Sequence, residues 1–342
     1  MIGINNTNYL TNELITRNNF YSIHRTIGIL PSIAKLSVTN SEYLRTLDEV
    51  RNDPHVYSCI QSRKTGTMSM VWHILDCPNE NLNRLIHQNF DKIDILDLIS
   101  NILDAVFIGL QVLEIIWEED NVGNLNVAKI DSKPIEWFFF DNENNLRFRS
   151  RNNPQGEILP QNKFLVPRHN PKYDNPYGEA LLSKCYWATT LKNMGFRFWI
   201  NFLEKYGMPL VIGQYTYPPS PEELANLSQR LNELVNSQTI ATPSDVNIDI
   251  KDIGQSKSVD LYLQLIKLAN GEISKALLSE TLTTEMDSGS YAASVTHFKV
   301  RREVILGDKF LVEQTINNLI EYIAKVNNFE DWNLPKFVLT EQ

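Results

Sequence analysis

Residues 259–326 read VDLYLQLIKLANGEISKALLSETLTTEMDSGSYAASVTHFKVRREVILGDKFLVEQTINNLIEYIAKV. Two helical patterns flank a short polar segment. In the first arm Tyr262, Ile266, Ala269, Ile273, Ala276 and Leu277 recur mostly at steps of three or four residues. In the second, Phe298, Ile305, Val312, Ile316, Leu319 and Ile323 line one side, with charged residues interrupting its first half. Between them lie Thr281, Thr283, Thr284, Met286, Asp287, Ser288, Gly289 and Ser290. A long helix, a polar hinge and a second long helix form a mechanical motif, with no obvious chemical group at its centre.

Upstream, the chain predicts an α+β region. Asp53-Pro54 opens a helix, with an acceptor at the N-cap and a fixed φ at the first helical position, and Gly66 can close it. A strand is expected over 68–75, and a helix over 91–108 that ends at Gly109. Strands over 111–117, 125–130, 137–140 and 146–148 follow, with helices packing on a small, mostly antiparallel sheet. An aromatic-rich helix over 179–206 would span about 42 Å at 1.5 Å per residue, and Gly207 and Pro209 stop it. A strand at 210–215, a proline run, a helix over 222–236 and strands at 239–241 and 246–250 form an insert before the next long helix. Residues 1–50 hold no long periodic segment and read as an extension, either frayed or gripping a neighbour.

The composition bounds the function. With 342 residues the chain can bury a substantial core, and a net charge of −9 argues against a general nucleic-acid binder, although not against a surface that DNA slides past. Three cysteines in such a length make no disulfide framework and suit a reducing compartment. The most apolar stretch, 93–117, carries Asp94, Asp97, Asp104 and Glu114, so a membrane span is not expected. Nor is a signal peptide, because the N-terminal residues are polar.

Chemical constellations are sparse. There is no GxxxxGK[ST], GxSxG or HExxH. His55 and Cys59, with His73 and Cys77, have a spacing that could aim ligands at zinc, but only the first pair falls on a predicted helix, and roles without metal account for them better. Glu114, Glu118, Glu119 and Asp120 cluster near a strand end; a solvated turn explains them more cheaply than a pair of catalytic carboxylates does. The cations Lys299, Arg301, Arg302 and Lys309 follow the hinge. They suit either a helix face paired with Glu303 and Asp308, or contact with a neighbouring subunit or DNA phosphates. The aromatic helix is either a core helix or a subunit interface.

Three stretches together resemble one family. SKALLSETLTTEMDSGSYAASVTHFKVRREVILGDKFLVEQTINNLI (274–320), DPHVYSCIQSRKTGTMSMVWHIL (53–75) and PRHNPKYDNPYGEALLSKCYWATTLKNMGFRFWINFLEKYGMPLVIG (167–213) are similar, in order and spacing, to the Mu-like branch of bacteriophage portal proteins. The resemblance implies an N-terminal arm (1–50), an α+β wing (51–175), a stem helix (176–207), a small clip (208–256), a second stem helix (257–280), a tunnel loop (281–291), and a wing-return helix with tail (292–342).

It further implies a non-enzymatic ring, typically of twelve subunits, at one capsid vertex, through which double-stranded DNA is packaged and ejected. The implied partners are the large terminase subunit, the major capsid protein and a head-tail connector, with no cofactor and no membrane. The implied location is the virion's portal vertex, and the host cytoplasm during assembly. The alternatives are a metal-dependent nucleic-acid hydrolase built on the acidic cluster, or a non-ring adaptor or scaffold. Only 16 residues follow Val326, so a large C-terminal crown is not expected.

Overall fold

The computed structural model describes residues 41–150, 153, 156–206, 210–215, 217–236, 246–251, 258–280, 291–329 and 333–341. The chain divides into two compact units, Met1–Tyr186 with Ile273–Gln342, and Trp187–Glu272.

The first unit is built on two apolar helices. α1 (Ser41–Arg51) and α2 (Pro54–Met68) precede β1 (Val71–Leu75), α3 (Glu80–Phe90) and α4 (Ile95–Ile108). α4 buries Ile99, Ile102, Leu103 and Val106, while Val312, Ile316, Leu319, Ile320 and Ile323 are buried along the distal half of α8 (Tyr291–Val326). These residues recur at three- and four-residue steps, so each helix presents an apolar stripe that must be covered. Caps set the ends as the sequence predicts. The Asp53 carboxylate accepts from the amides of His55 and Val56 at 2.9 and 3.2 Å, and Gly109 takes φ 100° just past α4.

Four expectations need correction. α2 does not stop at Gly66 but runs through it to Met68; the missing side chain makes room for Ile305 of α8, with which a Cβ would collide. The following strand is accordingly shorter than expected, Val71–Leu75. Residues 41–51, read as lacking periodicity, form α1, in which Tyr43, Leu47 and Val50 are buried at helical spacing. Residues 80–90, for which no element is expected, form α3, with Asn79 as its N-cap and Leu82, Leu85, Ile86 and Phe90 buried.

The strands make several small antiparallel sheets rather than one. β2 (Val112–Glu119) lies between β3 (Leu125–Lys133) and β7 (Phe164–Leu165). β4 (Phe138–Phe140), β5 (Leu146–Phe148) and β6 (Glu157–Ile158) form a second sheet. Leu110, Val112, Ile135 and Phe138 bury a satellite core against which Leu44, Phe164 and Tyr177 pack. β10 (Lys336–Thr340), inside the stretch expected as a tail, pairs with β1 from Val71↔Thr340 to Leu75↔Lys336.

Asparagine side chains attach these strands to helices, because a carboxamide offers the same donor and acceptor as a peptide group. Asn317 of α8 donates to the Phe337 carbonyl at 3.0 Å and accepts from its amide at 2.9 Å. Asn327 does the same for Leu125, at 2.9 and 2.8 Å, and Asn89 of α3 accepts from the Val127 amide at 2.7 Å.

In the second unit, α5 (Leu182–Tyr206) and α7 (Ser258–Leu278), both of which begin or end in the first, enclose an insert of β8 (Leu210–Tyr215), α6 (Pro221–Asn236) and β9 (Val246–Lys251). β8 and β9 pair antiparallel from Leu210↔Lys251 to Tyr215↔Val246. α6 begins with a reciprocal cap: Glu223 accepts from the Ser220 amide at 2.7 Å, while the Ser220 hydroxyl accepts from the Glu223 amide at 3.3 Å. The strand expected at 239–241 lies outside the described residues.

Candidate functional site: the helix junction flanking residues 281–290

α7 ends at Leu278, and Ser279 follows in the left-handed region (φ 59°) with its amide on the Lys275 carbonyl at 3.1 Å. This is how a helix commonly terminates, here with serine in the place glycine usually takes. Glu280 is buried. The segment expected to be the hinge, Thr281, Thr283, Thr284, Met286, Asp287, Ser288, Gly289 and Ser290, lies outside the described residues, and α8 begins at Tyr291.

One arginine ties the end of α7 to the middle of α8. Arg63 of α2 donates from Nε and Nη2 to the two carboxylate oxygens of Asp308 at 2.6 and 2.7 Å, and from Nη1 to the Leu277 carbonyl at 2.7 Å. Arg63 and Asp308 are both buried. A forked guanidinium meeting a carboxylate in two parallel bonds is geometrically specific, and in a water-poor setting neither charge can be left alone. One of the two alternatives for the cations of α8 paired them with Asp308 on a solvated face; Asp308 is instead the buried counter-ion of an arginine from another helix.

The cations that follow the hinge do not converge as one patch. Arg301 is half-buried and donates to the Ser62 carbonyl at 3.0 Å. Arg302 pairs with Glu341, Nε to Oε1 at 2.6 Å, which raises the arginine's pKa and lowers that of the glutamate. Lys309 lies 3.6 Å from Glu313, and its charge also helps to hold Glu341 ionised. Lys299 is exposed. Lys309 therefore has a partner one turn along its own helix, whereas Arg302 pairs with Glu341, a residue that no local pattern singles out.

A depression of about 520 Å³ opens beside the junction, lined by Arg63, Arg168, His169, Ser279, Gly307 and Phe310 among others. Its rim is set by the loop 167–178. The His169 amide donates to Gly109 at 2.8 Å, and Glu179 donates back to the His169 carbonyl at 2.7 Å. Arg168 stacks over Phe140 at 5.5 Å and donates to the Pro176 carbonyl; burial lowers its pKa.

The residues weighed for catalysis or metal binding have other partners. Glu114 pairs with Lys133 and Lys163, and Glu118 with Lys92. The Asp120 carboxylate accepts from the amides of Asn124 and Val122 and from the carboxamides of Asn124 and Asn126. These bonds, the Asn124 amide foremost, bring its pKa down to about 2. It closes the β2–β3 turn. His55 lies 2.8 Å from Ser274, and His73 3.1 Å from Thr340. Among the described residues no three of His, Cys, Asp or Glu gather as a metal cage, and no helix is long and apolar enough to cross a membrane.

The comparisons agree with this architecture. The chain is 27% identical over 288 residues to the portal protein of Escherichia phage Mu, covering 80% of this chain and 55% of that protein. It is 25% identical over 343 residues to the Mu-like prophage FluMu protein gp29 of Haemophilus influenzae, covering 93% and 65%. The chain thus spans less than two thirds of either relative's length. Among solved structures, a protein of the neck of the native gene transfer agent particle, computed with C12 symmetry, matches with a TM-score of 0.61 at 10% identity, covering 87% of this chain and 83% of that one. A chain of the native gene transfer agent virion matches equally well, with a TM-score of 0.61 at 11% identity and the same coverage. Both likenesses concern the fold. The family model for the portal protein of Mu bacteriophage matches residues 44–342, from α1 to the last residue, and the chain belongs to that family, whose members are structural rather than enzymatic.

Proposed function

We propose that this chain is the subunit of a closed portal ring at a single capsid vertex, through which double-stranded DNA is packaged and later ejected. The observation that carries the reading is the unbroken family match over 44–342, which takes in the whole order of helix, insert, helix, polar segment and long helix. In this reading α5 and α7 are stem helices, and the β8–α6–β9 insert is the clip that meets the large terminase subunit and the head-tail connector. Residues 281–290 are the loop facing DNA, and α8 returns into the wing that contacts the major capsid protein. The ring has twelve subunits, as the C12 symmetry of the gene transfer agent neck suggests by analogy.

Charge fits a conduit better than a grip. A subunit of net charge −9 binds phosphate weakly, so DNA can move past it. Of the cations after the hinge, Lys299 is the exposed one that a DNA or subunit contact would use, since Arg302, although exposed, and Lys309 are each paired with a glutamate of this chain.

Native mass spectrometry with negative-stain imaging of the full chain tests the ring: a closed assembly with a central hole is expected. A single chain or a two-chain species, persisting when the capsid protein is supplied, overturns it. Replacing residues 281–290 by a strongly basic loop is expected to leave the ring intact and impair packaging. Normal packaging by that variant removes the loop assignment.

A further inference from the structure

Within the second unit, α5 and α7 pack side by side and run antiparallel. Gly195 meets Leu265, Trp199 stacks on Tyr262 at a centroid distance of 6.5 Å, and Phe202 meets the same ring tilted, at 6.1 Å. At about 100° per residue, that shared seam leaves three other sectors on each helix. On α5 the sector opposite the seam is polar: Asn193, Arg197, Asn201 and Glu204, all exposed. On α7 it carries Asp260, Gln264 and Lys267, also exposed. The two outer edges of the layer are therefore hydrophilic.

The flanking sectors are not. Leu191, Met194 and Phe198 lie on one flank of α5, and Ile200 and Leu203 on the other, half a turn away. α7 repeats the pattern with Leu261 and Leu268 on one flank and Leu263 on the other. Because the helices are antiparallel and face each other, the first flanks combine on one side of the layer and the second flanks on the other. The exposed apolar side chains thus form two broad faces, one on each side of a two-helix slab.

We propose that these two faces are the subunit contact of the ring, the first face of each copy seating on the second face of the next. The inference rests on the ring reading and adds where its copies touch. A helix pair in a monomer hides one face and wets the other; apolar surface on both sides, with polar edges between, belongs to a slab sandwiched between two neighbours. The faces differ in composition, so the contact is heterologous, the kind that closes into a ring rather than stopping at a dimer.

The area is of the right order. Phe198 is 58% exposed and Leu261 and Leu268 63% each. With Leu191 and Met194 the first face exposes roughly 500 Å² of apolar surface, about the apolar share of one partner's ~800 Å² in a standard interface.

Two full-length double variants test this: Phe198→Glu with Leu261→Glu on the first face, and Leu203→Glu with Leu263→Glu on the second. Each alone is expected to lower the ring fraction at least about tenfold and to run as a single chain. Mixed one to one, they are expected to form a two-chain species, because each supplies the face the other lacks. Unchanged helical circular dichroism and unfolding midpoint separate lost assembly from lost fold; should the glutamates disturb the single chain, glutamine at the same positions replaces them. Rings or self-paired dimers from either variant alone, or a mixture that stays single-chain beside ring-forming wild type, overturn the face assignment and leave the ring reading standing. Wild-type chain that forms no ring even with its capsid partner overturns the ring reading, and this inference with it.

Discussion

Arg63 and Asp308 stand 245 residues apart in sequence and meet in two bonds of 2.6 and 2.7 Å, with the third arm of the guanidinium on the Leu277 carbonyl. One side chain from α2 thereby ties the end of α7 to α8, the two helices that the polar segment 281–290 connects.

Breaking this pair from one side leaves an uncompensated buried charge. Asp308→Ala is expected to destabilise the chain by about 3–5 kcal/mol, whereas Arg63→Met combined with Asp308→Leu should cost markedly less. Denaturant unfolding of the wild type and the two variants checks the order.

Asn317 completes the hydrogen bonding of Phe337 on its helix-facing edge, and Phe337 is fully buried. Asn317→Ala strands a buried amide and carbonyl, a loss of about 1–3 kcal/mol. Hydrogen exchange should report faster exchange at Phe337 and Leu339, while the α4 amides stay protected.

Gly178 has φ 78°, and a Cβ there would run into the Gly109 and His169 carbonyls. Backbone atoms cannot rotate aside as a side-chain tip can. Gly178→Ala is expected to cost at least about 1–3 kcal/mol and to loosen the loop that rims the junction depression. A lowered unfolding midpoint, with faster proteolysis in 167–178, is the readout.

The Cys185 thiol is pushed up to about 12, first by burial and then by the nearby Cys59 and Asp53. A folded-state pKa above the ordinary 9.0 means that the folded chain holds its proton longer than the unfolded one. That contribution is complete below pH 9 and is lost as pH rises toward 12. Cys185→Ala should therefore flatten the alkaline limb of the stability curve. Unfolded chain should react with a thiol reagent at pH 8 far faster at Cys185 than folded chain does.

Much of the architecture was legible because it is written in local terms. The apolar spacing of residues 259–326 yields α7 and α8, Asp53-Pro54 opens α2, and Gly109 closes α4, each through neighbours within a few residues. The family, too, was readable from three stretches in order. Where local cues were diluted the reading failed. α1 hides Tyr43, Leu47 and Val50 at the end of an Asn- and Thr-rich region, and α3 packs its stripe between polar residues.

What the tertiary structure alone decided is which distant groups meet. KFVLT at 336–340 carries no sign that it pairs with β1 more than 260 residues earlier, and Gly66 looks like a helix end until Ile305 is seen against it. Asp308 reads as one of several charges on a helix, and Arg63 as another, until burial makes each the other's necessary counter-ion. Periodicity and caps depend on contacts one turn apart, which the sequence contains. Strand pairing, buried ion pairs and close backbone approach depend on contacts across the chain, and only folding brings those groups into reach.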